Sequence, residues 1–146
     1  MEALYPYFLT LHLLCAIIFI GYLFCDVVLL SPLKKAFESQ ISNKIFNIIL
    51  QRGIKIMPLC LLLLILSGGA MISRWVGAEK GFFDSTLQQL LMLKVALVLV
   101  IACLVVFSLF YRFVLKRANP LGKIIHPIAL ILGFCIVILA KFAFYL

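Results

Sequence analysis

Residues 87–111 read LQQLLMLKVALVLVIACLVVFSLFY, and Lys94 is the only charge in that stretch. A helix needs about 20 apolar residues to cross the ~30 Å hydrocarbon core of a bilayer, so this run predicts a transmembrane span. Three further runs of the same kind lie at about 5–30, 54–72 and 124–146. Hydrophobic residues make up 66% of the chain and charged residues only 12%, which excludes an ordinary soluble domain. The expected fold is all-α, an integral membrane four-helix bundle in which residues 1–146 form a single transmembrane domain. The first run continues past signal-peptide length through Asp26 without a small-residue cleavage site, and it is read as a retained helix.

Basic residues set the expected orientation. The connection between the first and second runs carries Lys34, Lys35, Lys44, Arg52 and Lys55, and that between the third and fourth carries Arg112, Lys116, Arg117 and Lys123. The remaining loop has Arg74 and Lys80 offset by Glu79 and Asp84. The positive-inside rule therefore predicts a multi-pass protein of a bacterial inner membrane, with that loop and both termini on the outer side. Attraction to the anionic cytoplasmic leaflet accounts for the net charge of +8, so the lipid bilayer is the expected partner and nucleic acid is not.

Between the first two spans, Ser31-Pro32 reads as an N-cap followed by proline at the first helical position. Leu33, Phe37, Ile41, Ile45 and Ile48 or Ile49 then recur at spacings of three and four, with Lys34, Lys35, Glu38, Ser42, Asn43 and Asn47 opposite. That pattern predicts an amphipathic helix over about 32–51, lying on the inner surface or extending the second span into the cytoplasm. Ser67-Gly68-Gly69-Ala70 lets a neighbouring backbone or a flat ligand approach the second span closely. Trp75, Phe82 and Phe83 read as interface anchors, and Asp84 or Ser85, with Gln88 following, caps the third span. The five cysteines fall singly within apolar runs, where they act as small hydrophobes.

At ~1.5 Å rise per residue, His12 and Lys94 each lie about 10 Å below the outer ends of their helices. Lys141 and the Gly68-Gly69 pair fall in the same outer layer. Asp26, His126, Arg52, Lys55 and Arg112 form a second layer near the inner surface. His12, Phe19 and Asp26 share one face of the first helix, because steps of seven residues return within about 40°. Ionisable groups at such depth are costly and mark candidate sites. Lys94 would have to climb roughly 10 Å to reach the interface, beyond its reach of about 6 Å, so its amine stays within the bundle.

A histidine at mid-depth in a helical bundle suits axial ligation of a b-type haem. His126 lies roughly 15 Å deeper than His12, so the two cannot hold one iron. His12 either ligates with a different second ligand or is a hydrogen-bonded core histidine. His126, which precedes Pro127, reads as a polar helix start partnered by Asp26 or as the ligand of a separate site.

The stretches LHLLCAIIFIGYLF (11–24), RGIKIMPLCLLLLILSGG (52–69), LMLKVALVLV (91–100) and HPIALILGFCIVILAKF (126–142) resemble the superfamily of HemJ-type protoporphyrinogen oxidases and CopD-type copper-resistance proteins. These are small four-helix membrane proteins, and the HemJ branch binds haem b. His12 falls on the histidine of the family's first helix, Lys94 on the lysine of its third, and Lys141 on a lysine late in its fourth. Arg52 and Pro58 match the Arg-x-x-x-x-x-Pro region of the second helix. The chain departs from the pattern at Phe19, where a tryptophan is usual, and at His126, where an acidic residue usually precedes the proline.

The resemblance implies a haem- or porphyrin-binding redox protein, with haem b as cofactor, His12 as metal ligand, and His12, Lys94, Lys141, Gly68, Gly69, Phe19 and His126 as cofactor-binding residues. In a protoporphyrinogen oxidase-like reaction, Lys94 would be the catalytic base or the partner of a propionate. Electrons would pass to quinone. A copper-handling protein of the CopD type is the alternative, using Met57, Met71, Met92 and the cysteines as soft ligands. A non-catalytic subunit of a respiratory complex is another. A homo-oligomer is compatible with each reading.

Overall fold

The computed structural model describes residues 2–117 and 120–145. It is an all-α, multi-pass membrane protein with four helices long and apolar enough to cross a bilayer. A 3-10 turn at Glu2–Leu4 leads into α1 (Tyr5–Phe24), whose proline in the first turn needs no intrahelical partner for its missing N–H. The chain continues through a π turn at Cys25–Leu29 and a single helical turn, α2 (Leu33–Ala36). Next come α3 (Ser39–Ile72), α4 (Thr86–Phe113) and α5 (Gly122–Ala143). With four crossings, both termini lie at one end with the 73–85 loop. The opposite, basic end carries residues 25–38, between α1 and α3, and residues 114–117, which follow α4.

Two expectations are corrected here. Ser31 makes no capping bond, and Pro32 itself occupies the cap position of α2. Of the two arrangements expected for the amphipathic stretch 32–51, a separate surface helix is not observed, whereas an extension of the second span is. Phe37 adopts an extended backbone (φ −108°, ψ 155°) that ends α2, and from Ser39 onwards the chain is one unbroken helix through to Ile72. The apolar stripe is only partly covered: Phe37, Ile41 and Ile48 are exposed and Leu33, Ile45 and Ile49 half-buried, whereas Ser42, read as polar-face, is buried. Apolar side chains turned outward along a membrane-spanning helix meet lipid or the interface, where they are stable without protein contacts.

α1 packs along α3, and α4 along α5; α1 also contacts α5, while α3 and α4 touch only slightly. The bundle is thus two tight pairs joined mainly through α1 and α5. Phe19, Leu23, Met57, Leu61, Ile101, Ala129 and Leu130 form the buried core where the pairs meet. Most other apolar side chains, among them Ile17, Leu66, Leu99, Val106 and Ile131, stay exposed, as lipid contact requires.

The 73–85 loop is held by one side chain. Gln88 is buried, and its Nε2 donates to the carbonyls of Lys80 (2.8 Å) and Trp75 (3.1 Å). Its Oε1 accepts from the backbone N–H of Asp84 (2.9 Å), while its own N–H donates to Ser85 Oγ. Ser85, not Asp84, therefore caps α4 in a complete capping box. Trp75 meets Phe144 edge to face, tying this loop to the end of α5.

Candidate functional site

At the terminal end the α1–α3 interface is shaped around His12. Ser67 is almost fully buried (1% exposed), and its hydroxyl lies 2.6 Å from the Leu63 carbonyl one turn earlier, with the Leu64 carbonyl at 3.3 Å. A serine in a helix that bonds back in this way spends its only proton on the backbone. Its oxygen can then only accept from His12 Nδ1, 2.9 Å away. The imidazole is thereby fixed with the proton on Nδ1 and the lone pair on Nε2.

Gly68 makes room for this arrangement. A Cβ built there would stand 3.1 Å from His12 Cε1 and 3.6 Å from Nδ1, so the ring rests against bare α3 backbone. Lys94, half-buried on α4, lies within Coulombic range of His12. Among the described residues its ammonium has no hydrogen-bond or ion-pair partner. His12 and Gly68 are therefore in contact, with Lys94 within electrostatic reach of the imidazole.

Other candidates lie elsewhere. Gly69 has open space where its Cβ would be, and it does not face His12. Phe19 is a core residue, 5% exposed and packed with Leu23 and Met57. Lys141 is exposed, its ammonium 4.9 Å from the centre of the Tyr145 ring. His126 belongs to the basic end, where its Nδ1 bonds Asp26 Oδ2 as its sequence position suggests. The Tyr22 ring sits edge-on to this imidazole, with centroids 6.1 Å apart. Searches of protein-family models, curated proteins and solved structures find no match to this chain.

Ser67 is the residue that the sequence pattern does not single out, since it reads there only as one of four small residues. Its signal is a hydroxyl at the depth of His12 on the neighbouring helix. Cys15, one turn along α1 from His12, and Cys60 on α3 are both buried and free. Among the described residues no three His, Cys, Asp or Glu side chains gather to hold a metal ion, so neither the cysteines nor the histidines form a multidentate protein site. A metal at His12 would have to arrive with most of its own ligands, as iron does in a porphyrin.

Proposed function

We propose that this protein is a haem- or porphyrin-binding membrane redox protein of the HemJ/CopD type, with His12 as the axial ligand. The observation that carries the reading is the Nδ1 bond from His12 to a serine whose proton is already committed, because it leaves Nε2 bare and aimed by a fixed ring. A ligating histidine is ordinarily held by such a bond through its other nitrogen. The donor chemistry fits a porphyrin iron, and α3 and α4 touch only slightly.

His12 and Lys94 would hold the group: His12 through Nε2, and Lys94 as cation for a propionate or acceptor for a proton. A bound haem supplies one-electron chemistry at that level of the membrane. The residues of the chain do the rest. Ser67 holds the tautomer, Gly68 admits the ring, and the leucines around Lys94 exclude water so that its charge is not screened. For a porphyrinogen substrate, Lys94 would accept protons released on oxidation while electrons pass to a membrane quinone. The asymmetry of basic residues supports an orientation in which the His12 end and both termini face the outer side of a bacterial inner membrane.

The test is the visible spectrum of detergent-purified protein expressed with ample haem. A Soret band and a positive pyridine haemochrome are expected. Absence of both, together with no binding on titration with haem or protoporphyrin, would remove this reading.

A further inference from the structure

Near the basic end, the seam between α1 and α3 opens into a groove of about 290 Å³ that the His12 site does not use. Ile18, Ile48, Ile49, Ile56 and Met57 wall it, and Tyr22, Arg52 and Gly53 complete the lining. Among the described residues no carboxylate lines this groove. Asp26 lines a different pocket, which shares only Tyr22 with this one, and its carboxylate is bonded to His126.

The groove straddles the membrane boundary. About 20 residues, the length that crosses the hydrocarbon core, counted back from the end of α3 at Ile72 reach Gly53. Arg52 therefore stands where hydrocarbon gives way to headgroups. Ile56 and Met57 lie on the hydrocarbon side and Ile48 and Ile49 on the headgroup side, so the groove runs about 13 Å along α3. The Tyr22 hydroxyl packs onto the bare backbone of Gly53, where any Cβ would strike it, and so the tyrosine closes one wall at the level of Arg52.

The polar groups at this level are unspent. Among the described residues neither the Tyr22 hydroxyl nor the exposed Arg52 guanidinium has a hydrogen-bond or ion-pair partner. Lys55, three residues on, is also exposed and unpaired among them. Helix side chains lean towards the N-terminus, which for α3 is the basic end. Both cations are thus carried to headgroup level while their stems stay against apolar surface.

The geometry points to a binding site for one anionic phospholipid, its phosphate at Arg52 and one acyl chain running along the groove past Ile56, Met57 and Ile18. Charge selects the headgroup. The planar fork of an arginine matches two oxygens of a phosphate, and a tyrosine hydroxyl donates to a third acceptor. A zwitterionic lipid would add an ammonium beside Arg52 and Lys55, with no carboxylate in the lining to receive it. The site is independent of haem at His12.

Native mass spectrometry of the protein in a neutral detergent, titrated with phosphatidylglycerol or phosphatidylcholine of the same chains, tests the site. The first phosphatidylglycerol should bind at least tenfold more tightly than the first phosphatidylcholine. Arg52→Gln should remove that preference, and Ile56→Trp, which fills the groove, should weaken the first lipid at least tenfold. Both side chains are exposed, so helicity by circular dichroism should stay at the parent level. Arg112→Gln, which removes the same charge at the same end but outside the groove, should keep both affinities. Equal affinity for the two lipids, equal losses in the Arg52 and Arg112 variants, or no effect of Ile56→Trp would overturn the site. A homodimer that Ile56→Trp dissociates would give the groove to a second copy and overturn it too.

Discussion

Gly68 lies so close to His12 that a Cβ on it would stand 3.1 Å from the imidazole Cε1, closer than carbon atoms ordinarily pack. Gly68→Ala should therefore shift the ring by a few tenths of an ångström, and Gly68→Leu should expel it from α3. The expected readout is a graded loss of haem occupancy, partial for alanine and complete for leucine. Gly69→Ala, which meets open space, should retain full occupancy.

Ser67 acts on the site only through His12. Ser67→Ala removes the acceptor for Nδ1 and frees the ring to adopt the other tautomer, a change that typically lowers metal affinity by about 10–100-fold. Haem titration should show that loss with the Soret position shifted, while Ser67→Thr, which keeps the hydroxyl, should recover most of it. Equal affinity in all three proteins would mean that the hydrogen bond is structural alone.

Lys94 has a different signature. A cation within the bilayer is destabilising by about 2.5–3.5 kcal/mol on insertion scales, and no carboxylate of the described chain pairs with it. Lys94→Met keeps the side-chain length without the amine, so thermal stability of the ligand-free protein should stay equal or rise. Porphyrin binding or turnover should fall. Lower stability with undiminished porphyrin binding would make Lys94 part of the scaffold.

Gln88 tests the architecture independently of any ligand. Gln88→Ala strips two carbonyls and two backbone N–H groups of their partner, and each buried group left unsatisfied costs about 1–3 kcal/mol. The 73–85 loop should become sensitive to added protease and exchange its amides rapidly, with α4 fraying at Ser85. Unchanged exchange there would show that the Trp75–Phe144 contact alone holds the loop.

The four spans were legible because lipid demands long apolar runs, and Ser85 with Gln88 because a capping box is a local code. The level shared by Asp26 and His126 followed from helix rise, and so did that of His12, Gly68 and Lys94. What did not follow was anything decided by rotation about a helix axis. Ser67 faces His12 while Gly69, two residues on, meets open space, and Lys141 turns to Tyr145. In lipid an apolar face gives no signal of which side is core, and this also explains why Phe37, Ile41 and Ile48 are exposed while Ser42 is buried. The extension of the second span was one of two expected arrangements, but the break that precedes it at Phe37 was not legible, because it depends on an extended backbone there and not on a glycine or proline.

Haem occupancy of His12→Ala measures the central claim most directly. The substitution removes the one nitrogen lone pair fixed at this level, and alanine is well tolerated in a membrane helix. A pyridine haemochrome assay on the purified variant should find no retained haem, with insertion and helicity equal to those of the parent chain. Full occupancy with an unchanged spectrum would contradict the site and leave His12 as a histidine that only joins α1 to α3.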